Sequence, residues 1–92
     1  MAHTIQEKEK LLLRVRRIRG QLDALEKLLV QEADCDKTLH VMVACRGALN
    51  SLIAHVLEGH IRFHVLNPAL KPKPEQTHAA EEVIDVLKTY LR

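Results

Sequence analysis

Tryptophan is absent from this 92-residue chain, and phenylalanine and tyrosine occur once each. The 47% hydrophobic content is therefore carried by Leu, Val, Ile and Ala, a composition that suits interdigitating helices. Cysteine is scarce as well: Cys35 and Cys45 are too few for a secreted disulfide scaffold. The amino end, MAHTIQEKEK, is polar and charged, with no signal-peptide pattern. No apolar run approaches the length needed to span a bilayer. The expectation is a cytoplasmic protein with reduced thiols and no membrane partner. No paired-carboxylate, Ser/His/Asp or phosphate-loop arrangement is present, so an enzyme is not expected. The length allows one domain, 1–92, whose solitary core would be marginal. High apolar content in so short a chain without disulfides points to burial between subunits, and hence to an oligomer.

What the chain does have is helical periodicity. Thr4-Ile5-Gln6-Glu7 fits a capping box. Leu11, Val15, Ile18, Leu22, Leu25 and Leu29 then alternate by four and three through a first helix ending near Val30. Gly20 falls inside this helix at a cost of up to about 1 kcal/mol relative to Ala, a candidate point of close packing whose partner the sequence does not name. QEADCDK is the first break, with Asp34 or Asp36 as N-cap. A second helix follows from about Cys35 to Leu66, apolar on more than one side. The first helix covers one of those sides, and the same helix of a second subunit is the candidate for the other. All three prolines lie in NPALKPKPEQ, which reads as a loop. Ala80, Val83, Ile84, Leu87 and Leu91 give a short third helix. The fold class is all-α, with three helices per chain and no strand signal.

EGHIRFH places His60 and His64 four residues apart, on one face of the second helix. Cys35 opens the same helix, roughly 38 Å away at 1.5 Å per residue. One chain therefore cannot bring the three together. In an antiparallel pair of second helices, Cys35 of one subunit would meet His60 and His64 of its partner, and symmetry would build the site twice. On spacing alone the other reading stands beside this one: Cys35 as a small helix-start residue and the histidines solvated. The helix N-terminus favours a thiolate at Cys35, whereas Asp34 and Asp36 oppose it. His40, His55 and His78 read as structural or solvated, and Cys45 as a core residue.

Net charge is only +2, yet residues 8–19 hold Lys8, Lys10, Arg14, Arg16, Arg17 and Arg19 against Glu9 alone. Lys10, Arg14 and Arg17 share one face of the first helix beside its apolar seam. That is the pattern of a helix lying on phosphate, or of an ordinary solvated face. No helix-turn-helix is evident.

RVRRIRGQLDALEKLL (14–29), the cysteine opening the next helix, CRGALNSLIAHVLEGHI (45–61) and the closing YLR together resemble the CsoR/RcnR family of bacterial metal-sensing repressors over nearly the whole chain. HTI at the amino end, Cys35, His60 and His64 are similar to its nickel/cobalt sensors of the RcnR type. The resemblance implies an antiparallel four-helix-bundle dimer assembling into a flat homotetramer. It also implies a Ni(II) or Co(II) site made of His3, Cys35, His60 and His64, with the Ala2 amine after Met1 removal. Operator DNA would be held by Arg14 and Arg17, with Lys10 auxiliary, and released when metal binds, derepressing a metal efflux gene. Copper(I) sensors of the family place a second cysteine where His64 stands, since soft Cu(I) favours thiolate. Sulfur sensors need a second cysteine near the first, and Cys45 is about 15 Å along the helix. Zinc accepts similar ligands, so zinc binding in vitro does not identify the sensed metal. The alternative within the family is a formaldehyde-responsive repressor with Cys35 as the reactive thiol, though those sensors carry an amino-terminal Pro where Ala2 stands.

Overall fold

The computed structural model describes residues 2–92, the side chains of Ala2 and His3 excepted. Its helices are α1 (Ala2–Gln6), α2 (Lys8–Val30), α3 (Cys35–His60) and α4 (Pro74–Tyr90). A π-helical turn, Ile61–Val65, continues α3, and a 3-10 turn, Pro68–Leu70, lies in the proline stretch. No strand occurs among the described residues. The all-α expectation holds; the count of three helices does not.

The differences have local causes. Thr4 falls inside α1 rather than at a helix start. Glu7 separates α1 from α2, and its carboxylate crosses to His55 Nε2 at 3.0 Å. α4 begins at Pro74, six residues before Ala80, because a proline in the first turn has no N–H to lose and a φ already suited to the helix. The Lys73 amide donates to Gln76 Oε1 at 2.8 Å and steadies that start. Asp34 occupies the N-cap position of α3 without a side-chain capping bond. α2 ends through Glu32, whose φ of 55° lies in the left-handed region usually given to glycine. A Cβ added at Gly20 would meet nothing, so the close packing expected there is absent within the chain.

The expectation about bilayer length is also corrected. The stretch Cys35–Leu70 is 36 residues long and, by length and composition alone, apolar enough to cross a membrane. Only a small part of that apolar surface is covered within the chain.

The Cα envelope measures 56 × 25 × 11 Å, whereas two stacked layers of helices, each about 4.6 Å across at Cα with axes about 8–10 Å apart, would be about 13 Å thick or more. The chain is thus one layer of helices. α2 lies antiparallel against α3, and α4 packs on the other edge of α3. The buried apolar residues are Cys45, Ala54 and Ile84, the last only 2% exposed. Burial of Cys45 agrees with its reading as a core residue.

The two sides of this layer differ. On one, α3 exposes Leu39, Met42, Val43, Leu49 and Ile53, and α2 exposes Val15, Leu22 and Leu29. On the other, polar groups tie the helices together. Arg62 donates to Glu58 at 3.1 Å and to both carboxylate oxygens of Glu81, while Lys88 pairs with Glu58 at 3.2 Å. Burial pushes the Glu58 carboxyl up, but hydrogen bonds and charge from Lys88 and Arg62 outweigh it and hold the group below its ordinary value. The same contacts, Glu81 first, raise the Arg62 guanidinium. This network fixes the π-helical turn to α4.

Candidate metal centre and nucleic-acid interface

Cys35 is the first residue of α3 and is exposed, in no disulfide. His60 is the last residue of α3, and His64 sits in the π-helical turn that follows. Their rings stack, with centroids 5.4 Å apart and planes inclined by 26°. His60 Nδ1 is buried and has no hydrogen-bond partner among the described residues. A buried ring nitrogen left unsatisfied is costly. A metal ion would satisfy it, and two stacked imidazoles would form, with a thiolate brought to them, a donor set suited to a borderline first-row metal.

Among its described residues a single copy does not complete such a site. Among the described residues no three His, Cys, Asp or Glu side chains gather closely enough to hold a metal ion. α3 runs unbroken from Cys35 to His60, so rise alone keeps the thiol and the imidazoles roughly 38 Å apart. At about 100° per residue, however, His60 returns to within about 20° of the direction of Cys35 around the helix axis. Leu39, Met42, Leu49 and Ile53 lie along the same strip between them, together with the exposed Arg46. The exposed apolar face of α3 therefore carries a thiol at one end and two imidazoles at the other. The side chain of His3 and the Ala2 amine, the remaining ligands implied by the resemblance, lie outside the described residues.

The other described histidines face carboxylates. His40 lies 3.5 Å from Asp36 and His78 lies 3.0 Å from Glu82, each one turn apart on its own helix. His55 reaches Glu7, 48 residues away, a pairing that no local spacing announces. The Arg62–Glu58 pair is visible in the sequence as an i,i+4 spacing, while its extension to Glu81 and Lys88 is not.

Arg14 donates to Ser51 Oγ at 2.8 Å, bridging α2 to α3 on the polar side of the layer. Arg14 and Arg17 line one shallow groove of about 180 Å³ together with Ile18, Gln21, Ala48 and Ser51. Lys10, one turn before Arg14, is exposed. Arg14 also reaches a neighbouring cleft that contains His55, Lys88 and Arg92. The basic strip thus lies beside the helix contact, not on the apolar side.

The layer thus has one largely apolar face with a thiol and two imidazoles at its ends, and another face bearing cations. Residues 7–89 match the family model of the metal-sensitive transcriptional repressor. A protein of Serratia marcescens, described as an uncharacterized protein in the bioA 5′ region, is 41% identical over the full length of both chains. The transcriptional repressor RcnR of Citrobacter koseri is 36% identical, again over the full length of both. This chain belongs to the metal-sensitive transcriptional repressor family, whose members are DNA-acting regulators and not enzymes.

Proposed function

We propose that the protein is a cytoplasmic nickel- or cobalt-responsive repressor that holds operator DNA when metal-free and releases it on binding Ni(II) or Co(II), so derepressing a metal efflux gene. The observation that carries this reading is one exposed face of α3, largely apolar in its middle apart from Arg46, with Cys35 at one end and His60 and His64 at the other. An antiparallel partner laid on that face buries the apolar strip and brings each thiol to the opposite imidazoles, in two equivalent sites. Doubling of such dimers would give the flat tetramer. His3 and the Ala2 amine complete the ligand set. One thiolate among imidazoles suits Ni(II) or Co(II) better than Cu(I).

Arg14, Arg17 and Lys10 are the proposed phosphate contacts. Arg14→Ala is expected to weaken operator binding by about tenfold and to lower the salt dependence by about one counterion, while nickel affinity stays parental. Operator titrations at several salt concentrations check this; an unchanged slope would move the DNA contact elsewhere. Because metal and DNA oppose one another, DNA must weaken metal binding by the same factor.

Titration of Ni(II), Co(II), Zn(II), Cu(I) and formaldehyde into the protein–promoter complex tests the function. Release by nickel or cobalt is the expected result. Release by formaldehyde alone would transfer the role to Cys35 as a reactive thiol, and failure to bind the promoter would point to metal storage.

A further inference from the structure

We propose that Glu7 and His55 are a positioning pair that docks the amino-terminal helix on α3 and thereby fixes where His3 approaches His60 and His64; its functional half rests on the ligand set proposed above. His40, His55 and His78 each pair with a carboxylate, and two of these pairs are local. His40–Asp36 and His78–Glu82 join neighbouring turns of one helix through side chains that are mostly exposed, and such pairs contribute little. Glu7–His55 joins two elements across 48 residues at 3.0 Å, with both side chains more than half covered.

Its place in the chain gives it leverage. Glu7 is the one residue between α1 and α2. α1 has five residues, far fewer than the roughly 12–15 that an isolated helix needs even to be marginally stable. Contacts with α3 must therefore set its position. His3 precedes Glu7 by one helical turn. Along α3, Ser51 holds Arg14 and His55, one turn further, holds Glu7. That antiparallel register, continued by another turn, brings residue 3 level with the His60 end of α3. The pair thus ties to α3 the junction between the segment bearing an expected ligand and the helix bearing Arg14 and Arg17.

The test compares His55→Leu, which cannot donate to Glu7, with His55→Gln, whose amide N–H can. Both are measured alone and in a His3→Ala background. In His55→Leu, nickel affinity is expected to fall about three- to tenfold, the worth of one partly covered hydrogen bond. His55→Gln should recover most of that loss. In the His3→Ala background His55→Leu should change nothing, because the pair acts through His3. Hydrogen exchange of the metal-free protein should show lost protection over residues 2–7 in His55→Leu, with residues 40–56 unaffected. Equal weakening in both backgrounds, or retained protection over residues 2–7, overturns the proposal. A His3→Ala chain with parental nickel affinity removes His3 from the ligand set and overturns the functional half, whereas the exchange result judges the docking by itself.

Discussion

Equal mixing of a Cys35→Ala chain with a His60→Ala chain, unfolded and refolded together, is expected to create nickel sites that neither variant forms alone. Each homomer lacks one ligand in both of its sites. Its affinity should fall at least about 100-fold, since loss of even an outer-sphere partner costs 10–100-fold. In a mixed antiparallel dimer, the His60→Ala chain supplies Cys35 while the Cys35→Ala chain supplies His60 and His64. One of the two sites is then whole and the other lacks both groups. Random pairing makes about a quarter of all sites competent. A thiolate-to-nickel absorption band appearing on mixing, at about that fraction of parental intensity, is the measurement. The rise of α3 forbids a site within one chain, so recovery must come from the partner. A mixture as silent as its components would eliminate the antiparallel arrangement, whatever metal is sensed.

That geometry was legible in the sequence because helix rise and rotation are rigid quantities. Once the stretch from about Cys35 to Leu66 read as one helix, the separation of Cys35 from His60 followed, and α3 does run unbroken between them. Buried Cys45 was legible for a similar reason, as a small residue within an apolar pattern. What was not legible depends on contacts distant in the chain or on exceptions to local rules. The break at Glu7 coincides with a partner 48 residues away, so the local spacing of Thr4 and Glu7 read as a capping box instead. Pro74 read as part of a loop, although proline is as much at home in the first turn of a helix as in the loop before it. The π-helical turn that carries His64 leaves no periodicity signal in five residues, and its anchor to Glu81 spans 19 positions. Gly20 is the converse case: a sequence feature with nothing packed against it within the chain.

Leu49→Glu is expected to abolish assembly, and the reason lies in how little one chain buries. A layer whose Cα envelope is 11 Å thick leaves Leu49 48% exposed and Ile53 39% exposed, and its buried apolar residues are Cys45, Ala54 and Ile84. Such a core offsets little of the conformational entropy of 92 residues, which amounts to about 1–2 kcal/mol each for the backbone alone. Folding must then be linked to association, and the parental melting temperature should rise with protein concentration. In the antiparallel pairing the two-fold axis falls midway between Cys35 and the His60–His64 pair, at about residue 49. Leu49 would therefore meet its own symmetry mate. A glutamate there places two carboxylates against one another in an apolar interface, and an uncompensated buried charge costs about 3–5 kcal/mol. Leu49→Met conserves volume and should cost less than about 1.5 kcal/mol. Sedimentation equilibrium and circular dichroism at several concentrations separate the outcomes. Leu49→Glu should be monomeric or largely unfolded at concentrations where the parent and Leu49→Met are assembled. A Leu49→Glu chain that keeps the parental mass and a concentration-dependent melt would show that this face is not the interface, and the shared metal centre would have no physical basis.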